Sequence, residues 1–538
     1  MAMPRISLVG LLIVLLAVFF YASFLAHKIN LVTADLGRHI KNGELLFEDR
    51  AVLTSNFYSY TEPDFPVRNH HWLSGAVFYM AWQVAGFGGV EVLFIALSIA
   101  AFLVFFRLAE RLAGPGLAGL AAALVTPLLA ERTEIRPEVF SYLLAAVFFW
   151  LLWRFRERKT PYRALLIALP LLEIFWVNSH IYFPFGPIIV GVFLVEALVN
   201  RRRRESVRLG AVLALTVGAA LLNPFGVRGA FEPLTIFKNY GYRLIENQSV
   251  WFLEKLIYNP NFAIFKFVFW ILAGSFLAVG IRRWRRWLER RSQPAPGGAG
   301  SYESFFSGGG VIMALAAMGF SGLAWFQIRN FTLFGFFALV ILAANARSLF
   351  GGALEYYRRE LNGVALAVGL LLMAVSVSGG LQALFPYWRE FGLGVESANA
   401  AAAEFFKREN LTGPIFNNYD IGGYLIFHLF GRERVFVDNR PEAYSVDFFE
   451  KTYVPMQEND DKFREVDGQY HFNAIIFSHR DATPWGQKFL ISRIQDPDWA
   501  PVFADKYVLI LVRRNEANKA VIDRYELPRE MFKVVEPA

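Results

Sequence analysis

The stretch HWLSGAVFYMAWQVAGFGG, residues 71–89, is apolar enough to cross a bilayer, yet it is short and closes on glycines. Whether it crosses decides the fold, because every loop after it changes side with it. Around it lie eleven other apolar runs that reach or approach the ~20 residues needed to span hydrocarbon. They are Ile6–Ala26, Val90–Phe106, Leu117–Ala130, Val139–Trp153, Ala164–Val177, Phe183–Leu198, Leu209–Leu222, Phe262–Val279, Val311–Phe326, Phe331–Ala344 and Val364–Gly379. If 71–89 lies flat, the loops RLAERLAG, RFRERKTPYR, RRRRESVR, IRRWRRWLERR and RSLFGGALEYYRR share one face and carry 21 Lys or Arg. That face is then cytoplasmic by the positive-inside rule; if 71–89 spans, all five loops move outside and break it. The reading is an amphipathic helix in the outer interface, eleven spans and a cytoplasmic N-terminus.

Composition agrees. Of 538 residues, 55% are hydrophobic and 16% aromatic, with mean hydropathy +0.36. A soluble core grows more slowly than its chain and has no use for so much apolar surface. The net charge of +8 sits largely in the loops between apolar runs, where it orients the chain, so no nucleic-acid partner is expected. Cysteine is absent, which excludes disulfides and thiolate chemistry. The first apolar run is too long for a signal-peptide core and reads as a retained anchor. No G-x-x-x-x-G-K-[ST], G-x-S-x-G or H-E-x-x-H signature occurs.

Residues 1–380 thus predict an all-α polytopic membrane domain, with 27–89 as its first outer loop. Residues 381–538 lose the long apolar runs. PIFN, RVFVD, NAIIFS and KYVLILV read as strands, and ANAAAAEFFKREN and WGQKFLISRI as helices between them. This alternation predicts a small α/β extracytoplasmic domain. Residues 290–310 read as a flexible cytoplasmic linker.

The topology collects ionisable residues on the outer face, where groups near a bilayer are costly unless paired or functional. Asp35 and His39 stand one helical turn apart just after the first run. They can be a general base and its orienting partner, or two ligands for a divalent ion; the plainer alternative is a helix N-cap beside a solvated imidazole. In RNHHWL, His70 and His71 point to different faces of a helix and are unsuited to one ion, while Trp72 suits the headgroup belt. ERTEIRPEVF offers Arg132 and Arg136, whose planar forks suit phosphate. Its acids Glu131, Glu134 and Glu138 can hold those arginines or bind metal, or the turn simply neutralises itself. FWVNSHIYF places Asn178 and His180 where they can donate to phosphate or sugar, or cap a helix, and QIRN adds Arg329.

Taken together, the first outer loop resembles the D-x-W-W-H-x-x-x-G … W-x-x-H-E-W-L pattern of bacterial membrane glycosyltransferases with the GT-C fold. Asp35, His39 and Gly43 match its first part, and His70, Trp72 and Leu73 its second. Gly37 and Arg38 replace the aromatic pair, and His71 the acid. The family's R-P turn is matched by Arg136 and Pro137, its W-x-N-x-H turn by Trp176, Asn178 and His180, and its N-P-x-G by Asn223, Pro224 and Gly226. The tail stretch NNYDIGGYLIFHLFGRERVFVDNRPEAY resembles the W-W-D-Y-G-Y region of oligosaccharyltransferase catalytic subunits. Asp420, Gly422 and Tyr424 fall in that counterpart and Asp438 and Asn439 in the strand end; the tryptophans are absent and Gly423 is extra.

The resemblance implies a GT-C-type hexosyl- or pentosyltransferase of the bacterial cytoplasmic membrane. It would move a sugar from a polyprenyl-phosphate- or diphosphate-linked donor to a glycan, lipid or protein acceptor at the outer face. Asp35, with His39 beside it, would take the acceptor's proton. Arg132, Arg136, His180 and Arg329 would face the leaving phosphate. His70, His71, Trp72, Glu134, Glu138, Trp176, Asn178, Asp420 and Tyr424 would line the substrates, and Asp35 with His39 would be the ligands of any Mg or Mn. Alternatives are whole-glycan transfer to protein, or non-catalytic binding or transport of a lipid-linked glycan. Transport predicts charges within spans and repeated halves, whereas here the charges gather at span ends and no repeat is visible.

Overall fold

Residues 71–89 do not form a helix of their own. In the computed structural model, which describes residues 7–50, 52–235, 239–242, 244–292, 309–385 and 390–532, they open the long helix α3 (Trp72–Ala113), which follows α1 (Leu8–Leu25) and α2 (Leu36–Asp49). Helix α3 breaks at Ala85 (φ −147°, ψ 27°) and Gly86 (φ 60°, ψ −154°). Gly86 supplies the left-handed φ that a side chain disfavours. The break divides α3 into a short first piece and a long second one. Asp35 lies at the same end of the bundle as Arg136, its Oδ2 3.3 Å from Nη1. Were 71–84 a span, these residues would sit at opposite ends of the bundle.

The remaining predicted runs form α4 (Pro115–Leu129), α5 (Glu138–Arg156), α6 (Tyr162–Ser179), α7 (Phe185–Val199), α8 (Arg203–Ala219), α9 (Pro260–Ser292), α10 (Gly310–Phe326), α11 (Phe331–Tyr356) and α12 (Arg358–Val377). Seven helices among the described residues are long and apolar enough to cross a membrane, and α4, α7 and α10 are shorter apolar helices. The chain is a multi-pass membrane protein. Its bundle interior is held by aromatic packing: Phe105 stacks on Phe336 at 5.1 Å and Phe320 on Phe337 at 3.9 Å. In lipid, such close van der Waals contact takes over the role that hydrophobic burial plays in water. The linker expected over 290–310 falls for the most part outside the described residues.

The tail holds a four-stranded sheet in the order β1-β2-β4-β3. Strand β1 (Ile415–Asn417) pairs parallel with β2 (Ala474–Ser478), and β4 (Val508–Arg513) runs antiparallel to both β2 and β3 (Trp499–Ala504). Helix α13 (Ala401–Arg408) precedes β1, α14 (Gly422–Leu429) follows it, and α15 (Pro484–Gln495) lies between β2 and β3. Two strand expectations need correction. RVFVD forms no strand; only Val435 makes an isolated bridge, to Ser59. The Asn417 side chain occupies the groups a neighbouring strand would use, accepting from Phe436 N at 2.9 Å and donating to Val437 O at 2.7 Å. Conversely, β3 is a strand the pattern hides, because Pro501 interrupts it. It sits at the sheet edge with a register shift between Pro501 and Phe503, where a missing N–H is tolerated.

Two close approaches position the site. A Cβ on Gly43 would lie 2.2 Å from Gly75 O, so α2 crosses the first part of α3 backbone to backbone. A Cβ on Gly423 would lie 3.2 Å from Ala34 O, and one on Gly37 2.9 Å from Phe427 Cβ. Helix α14 therefore rests on the start of α2. The extra glycine of the tail motif is what lets the tail reach Asp35's neighbourhood.

Candidate functional site

Asp35 occupies the N-cap position of α2, but its backbone is αR (φ −67°, ψ −13°) and its side chain caps nothing. The carboxylate instead turns outward. Oδ1 accepts from Asn439 Nδ2, Oδ2 faces Arg136, and Arg38 Nη2 stands 4.0 Å from Oδ1. Only its backbone joins it to His39, whose ring lies on His71 (5.5 Å) and Phe78 (6.4 Å). The sequence neighbours Asp35 and His39 thus serve different surroundings.

Around Arg136 the turn between α4 and α5 folds onto the loop after α8 and the turn before α11. Arg136 bonds Glu134 Oε2 at 2.9 Å and Glu246 Oε2 at 3.1 Å. Arg132 forks onto Glu138 at 3.0 and 3.1 Å and reaches Glu246 at 2.6 Å. Arg329 meets Glu138 at 2.8 Å and Asn247 at 3.1 Å, with its guanidinium 5.3 Å from the Tyr182 ring. Burial opposes ionisation of Glu246, but Arg132, Arg136 and Arg329 outweigh it and hold the carboxyl at about 2. Burial likewise works against the Arg136 charge, and Asp35 and Glu246 more than restore it. All three arginines stay charged and aimed at one place.

Beside this network His70, His71 and His180 come together, against the expectation that the first two diverge. Residues 70 and 71 precede the helix proper, so helical geometry does not separate them. Their rings lie 4.1 Å apart, and His71 is 5.2 Å from His180. Burial holds all of them neutral, pushing His70 down to about 4, His180 to about 3, and His71 and His39 well below the usual imidazole value. Trp176 Nε1 donates to Ser141 Oγ at 2.7 Å, which lies 2.8 Å from His180 Nδ1. Trp72 Nε1 donates to Asn178 Oδ1 at 2.8 Å. Trp176 thus orients His180 through Ser141, and Trp72 with Asn178 ties the start of α3 to the end of α6.

The tail forms the facing wall. Asn439 binds Asp35 with its amide nitrogen and Arg38 Nε with its oxygen, the latter at 3.2 Å. Asp420 stands at the turn into α14. Among the described residues no hydrogen bond or ion pair reaches its carboxylate. Burial, then Asp481, Asp35 and Glu134, push it up to about 7, against the pull of Arg136. Tyr424 lies elsewhere. It is fully buried and its hydroxyl accepts from Ala403 N at 3.0 Å, so it packs α14 and does not line the site.

No family model matches the chain, and no curated protein matches it. Solved structures do. One is the archaeal oligosaccharyltransferase AglB from Archaeoglobus fulgidus in complex with an inhibitory peptide and a dolichol-phosphate, at TM-score 0.59 and 11% identity, covering 93% of this chain and 74% of that one. Another is an A. fulgidus oligosaccharyltransferase in the apo form, at TM-score 0.56 and 12% identity, with coverages of 90% and 71%. A third is ArnT from Cupriavidus metallidurans bound to undecaprenyl phosphate, at TM-score 0.49 and 16% identity, with coverages of 96% and 99%. The chain has the GT-C fold.

On this GT-C frame the site brings together Asp35, Arg132, Arg136, Arg329, Glu134 and Glu138, with His180, His71 and His70 beside them. Glu246, Asn439 and Arg38 complete it and were not among the residues singled out as candidates. Glu246 reaches the site through a contact distant in sequence, with charge near a span end as its signal; Arg38 stands three residues from Asp35, and Asn439 closes the strand end of the tail motif. Asp35 and His39 do not form a metal cradle. Both Asp35 oxygens are engaged, His39 packs on His71, and Arg136 takes the cationic place among Asp35, Glu134 and Glu246. Among the described residues no group of three or more acid or imidazole side chains is arranged to hold an ion. The arrangement offers fixed positive charge, neutral imidazoles and two carboxyls in different states: a setting for displacing an anionic leaving group.

Proposed function

We propose that the chain is an integral membrane glycosyltransferase. It transfers a sugar from a polyprenyl-phosphate- or diphosphate-linked donor to an acceptor at the outer face of a bacterial cytoplasmic membrane. The observation that carries this is the convergence of Arg132, Arg136 and Arg329, from two separate turns, onto Glu246 beside Asp35 at one end of the bundle. Preorganised cations aimed at a departing lipid phosphate stabilise the charge that develops as the glycosidic bond breaks. The fold supports the reading, since its neighbour AglB was solved with a dolichol-phosphate and a peptide. The arginine-rich loops at the opposite end support a cytoplasmic N-terminus. Asp35 holds Arg136 and keeps negative charge at the reaction centre.

Whole-glycan transfer to protein is the second reading. It is favoured by the tail, whose Asn439 binds Asp35 directly. Mass spectrometry of polyprenyl-linked glycans and envelope glycoconjugates in a deletion strain tests both. An accumulated lipid-linked monosaccharide with a shortened glycan supports single-sugar transfer. An accumulated complete lipid-linked glycan with unmodified protein supports the second reading. Unchanged donor and product pools would defeat the enzyme assignment.

A further inference from the structure

An acceptor that attacks an anomeric carbon must lose a proton, and the site offers two aspartates to take it. Asp35 is committed: one oxygen holds Asn439 and the other Arg136. Each of its oxygens already serves a fixed partner. Asp420 is uncommitted, yet its position is firmly set. Tyr419 N donates to Tyr453 Oη at 2.7 Å, Asn418 Nδ2 donates to Asp481 Oδ2 at 2.9 Å, and a Cβ on Gly422 would lie 2.4 Å from Asp438 Cα. The backbone on both sides is thus locked, Gly423 lies against Ala34 O and the Asn439 amide that holds Asp35, and the carboxylate has no hydrogen bond among the described residues.

We propose that Asp420 is the general base of the transfer, and that Asp35 orients Arg136. This rests on the glycosyltransferase reading above. As the acceptor oxygen or nitrogen bonds to the anomeric carbon, its proton passes to the Asp420 carboxylate. The bond from that carbon to the lipid phosphate oxygen breaks, and the phosphate leaves with the electron pair toward the arginines. The groups facing Asp420 are Asp481 from its own side and Asp35, Glu134 and Arg136 from the loops. With burial, the three carboxylates outweigh the one arginine and bring Asp420 to about 7, where a base is both deprotonated and able to hold a proton. The base works ionised, so the rate is present above that value and falls as pH drops through it.

The test uses the full chain in nanodiscs, with an envelope extract of the deletion strain as the source of donor and acceptor. Rates are followed by mass spectrometry from pH 5 to 9. Asp420→Asn is expected to lose about 10²–10⁴-fold in kcat and to abolish the acid limb. Asp420→Glu is expected to recover part of the rate with the limb restored. Both should bind undecaprenyl phosphate as wild type does, because the arginines are untouched. Asp420→Asn should also unfold no more easily than wild type above pH 7, since a carboxyl raised by folding opposes the folded state there. A loss below tenfold, or a rise confined to KM with the acid limb intact, overturns the assignment while leaving the enzyme reading standing. An inert wild-type chain with unchanged glycan pools defeats that reading and the base with it.

Discussion

Two aspartate–arginine pairs stand close together in this molecule and differ in almost every respect. Asp438 and Arg440 are two residues apart, with side chains 0% and 4% exposed. They share a two-pronged contact at 2.7 and 2.6 Å, with Asn56 and Tyr444 satisfying the remaining groups. Asp35 and Arg136 come from separate loops, are 16% and 20% exposed, and meet once at 3.3 Å. Arg136 divides itself among three carboxylates. The sealed pair has nothing left to offer a ligand. The open pair can shift its guanidinium toward an arriving phosphate without stranding a charge, since each acid keeps another donor or some water. An ion pair's partners and exposure therefore say more about its role than its residue types do.

The comparison breaks most visibly at the sealed pair. Arg440→Met leaves Asp438 buried without its cation, and removing one partner of such a pair costs about 3–5 kcal/mol. Thermal unfolding in detergent should show that loss; a change under about 1 kcal/mol would mean the pair is no structural strut. Asp35→Asn should do the opposite. The amide still accepts a hydrogen bond, so unfolding should be near wild type. Transfer should fall by about 10²–10³-fold, the usual loss when one preorganised charge-stabilising group is removed. Near-normal transfer in that variant would place the reaction centre elsewhere.

These pairs also show how far the sequence could be read. Asp35 and Arg136 were legible because each follows or precedes an apolar run closely, and the arginine asymmetry of the loops put both at the same end. The apolar helices were legible for the same reason, since hydropathy reports directly on the solvent; among the described residues seven are long and apolar enough to cross and three more are shorter. Glu246 was not, because a carboxylate 110 residues from its arginine leaves no local trace; Asn439 was legible as a motif position, but its bond to an aspartate 404 residues away was not. Asp35 with His39 misled through helical spacing: residues four apart share a face, but Asp35 sits at the helix mouth and turns away. Tyr424 misled through motif position, since a tyrosine in α14 can serve the core as well as a site.

A smaller effect sharpens the structural side of the comparison. Trp72→Phe removes the bond to Asn178 that ties the start of α3 to α6. A neutral hydrogen bond of this kind contributes about 1 kcal/mol. The variant should unfold slightly earlier and keep most of its transfer rate, because Trp72 positions a helix and touches no charge of the network. A large loss of rate with unchanged stability would make Trp72 a substrate contact.

The smallest expected effect concerns the open network itself. Glu246 sits at about 2, below its ordinary 4.5, held there by three arginines against burial. A depressed carboxyl contributes stability that is fully present above its unfolded value and is lost as pH falls toward its folded value. Between pH 8 and about pH 6 the contribution of Glu246 should therefore stay flat. The difference in unfolding temperature between wild type and Glu246→Gln should be constant over that range and shrink only below about 4.5, vanishing toward 2. Any acid limb of transfer near neutrality then has to arise at a carboxyl that burial raises to about 7, Asp420 or Glu131, and the Asp420 variants decide between them. If the stability difference instead shrank between pH 8 and 6, the arginines would not be holding Glu246 ionised, and the separation of the two walls would fail.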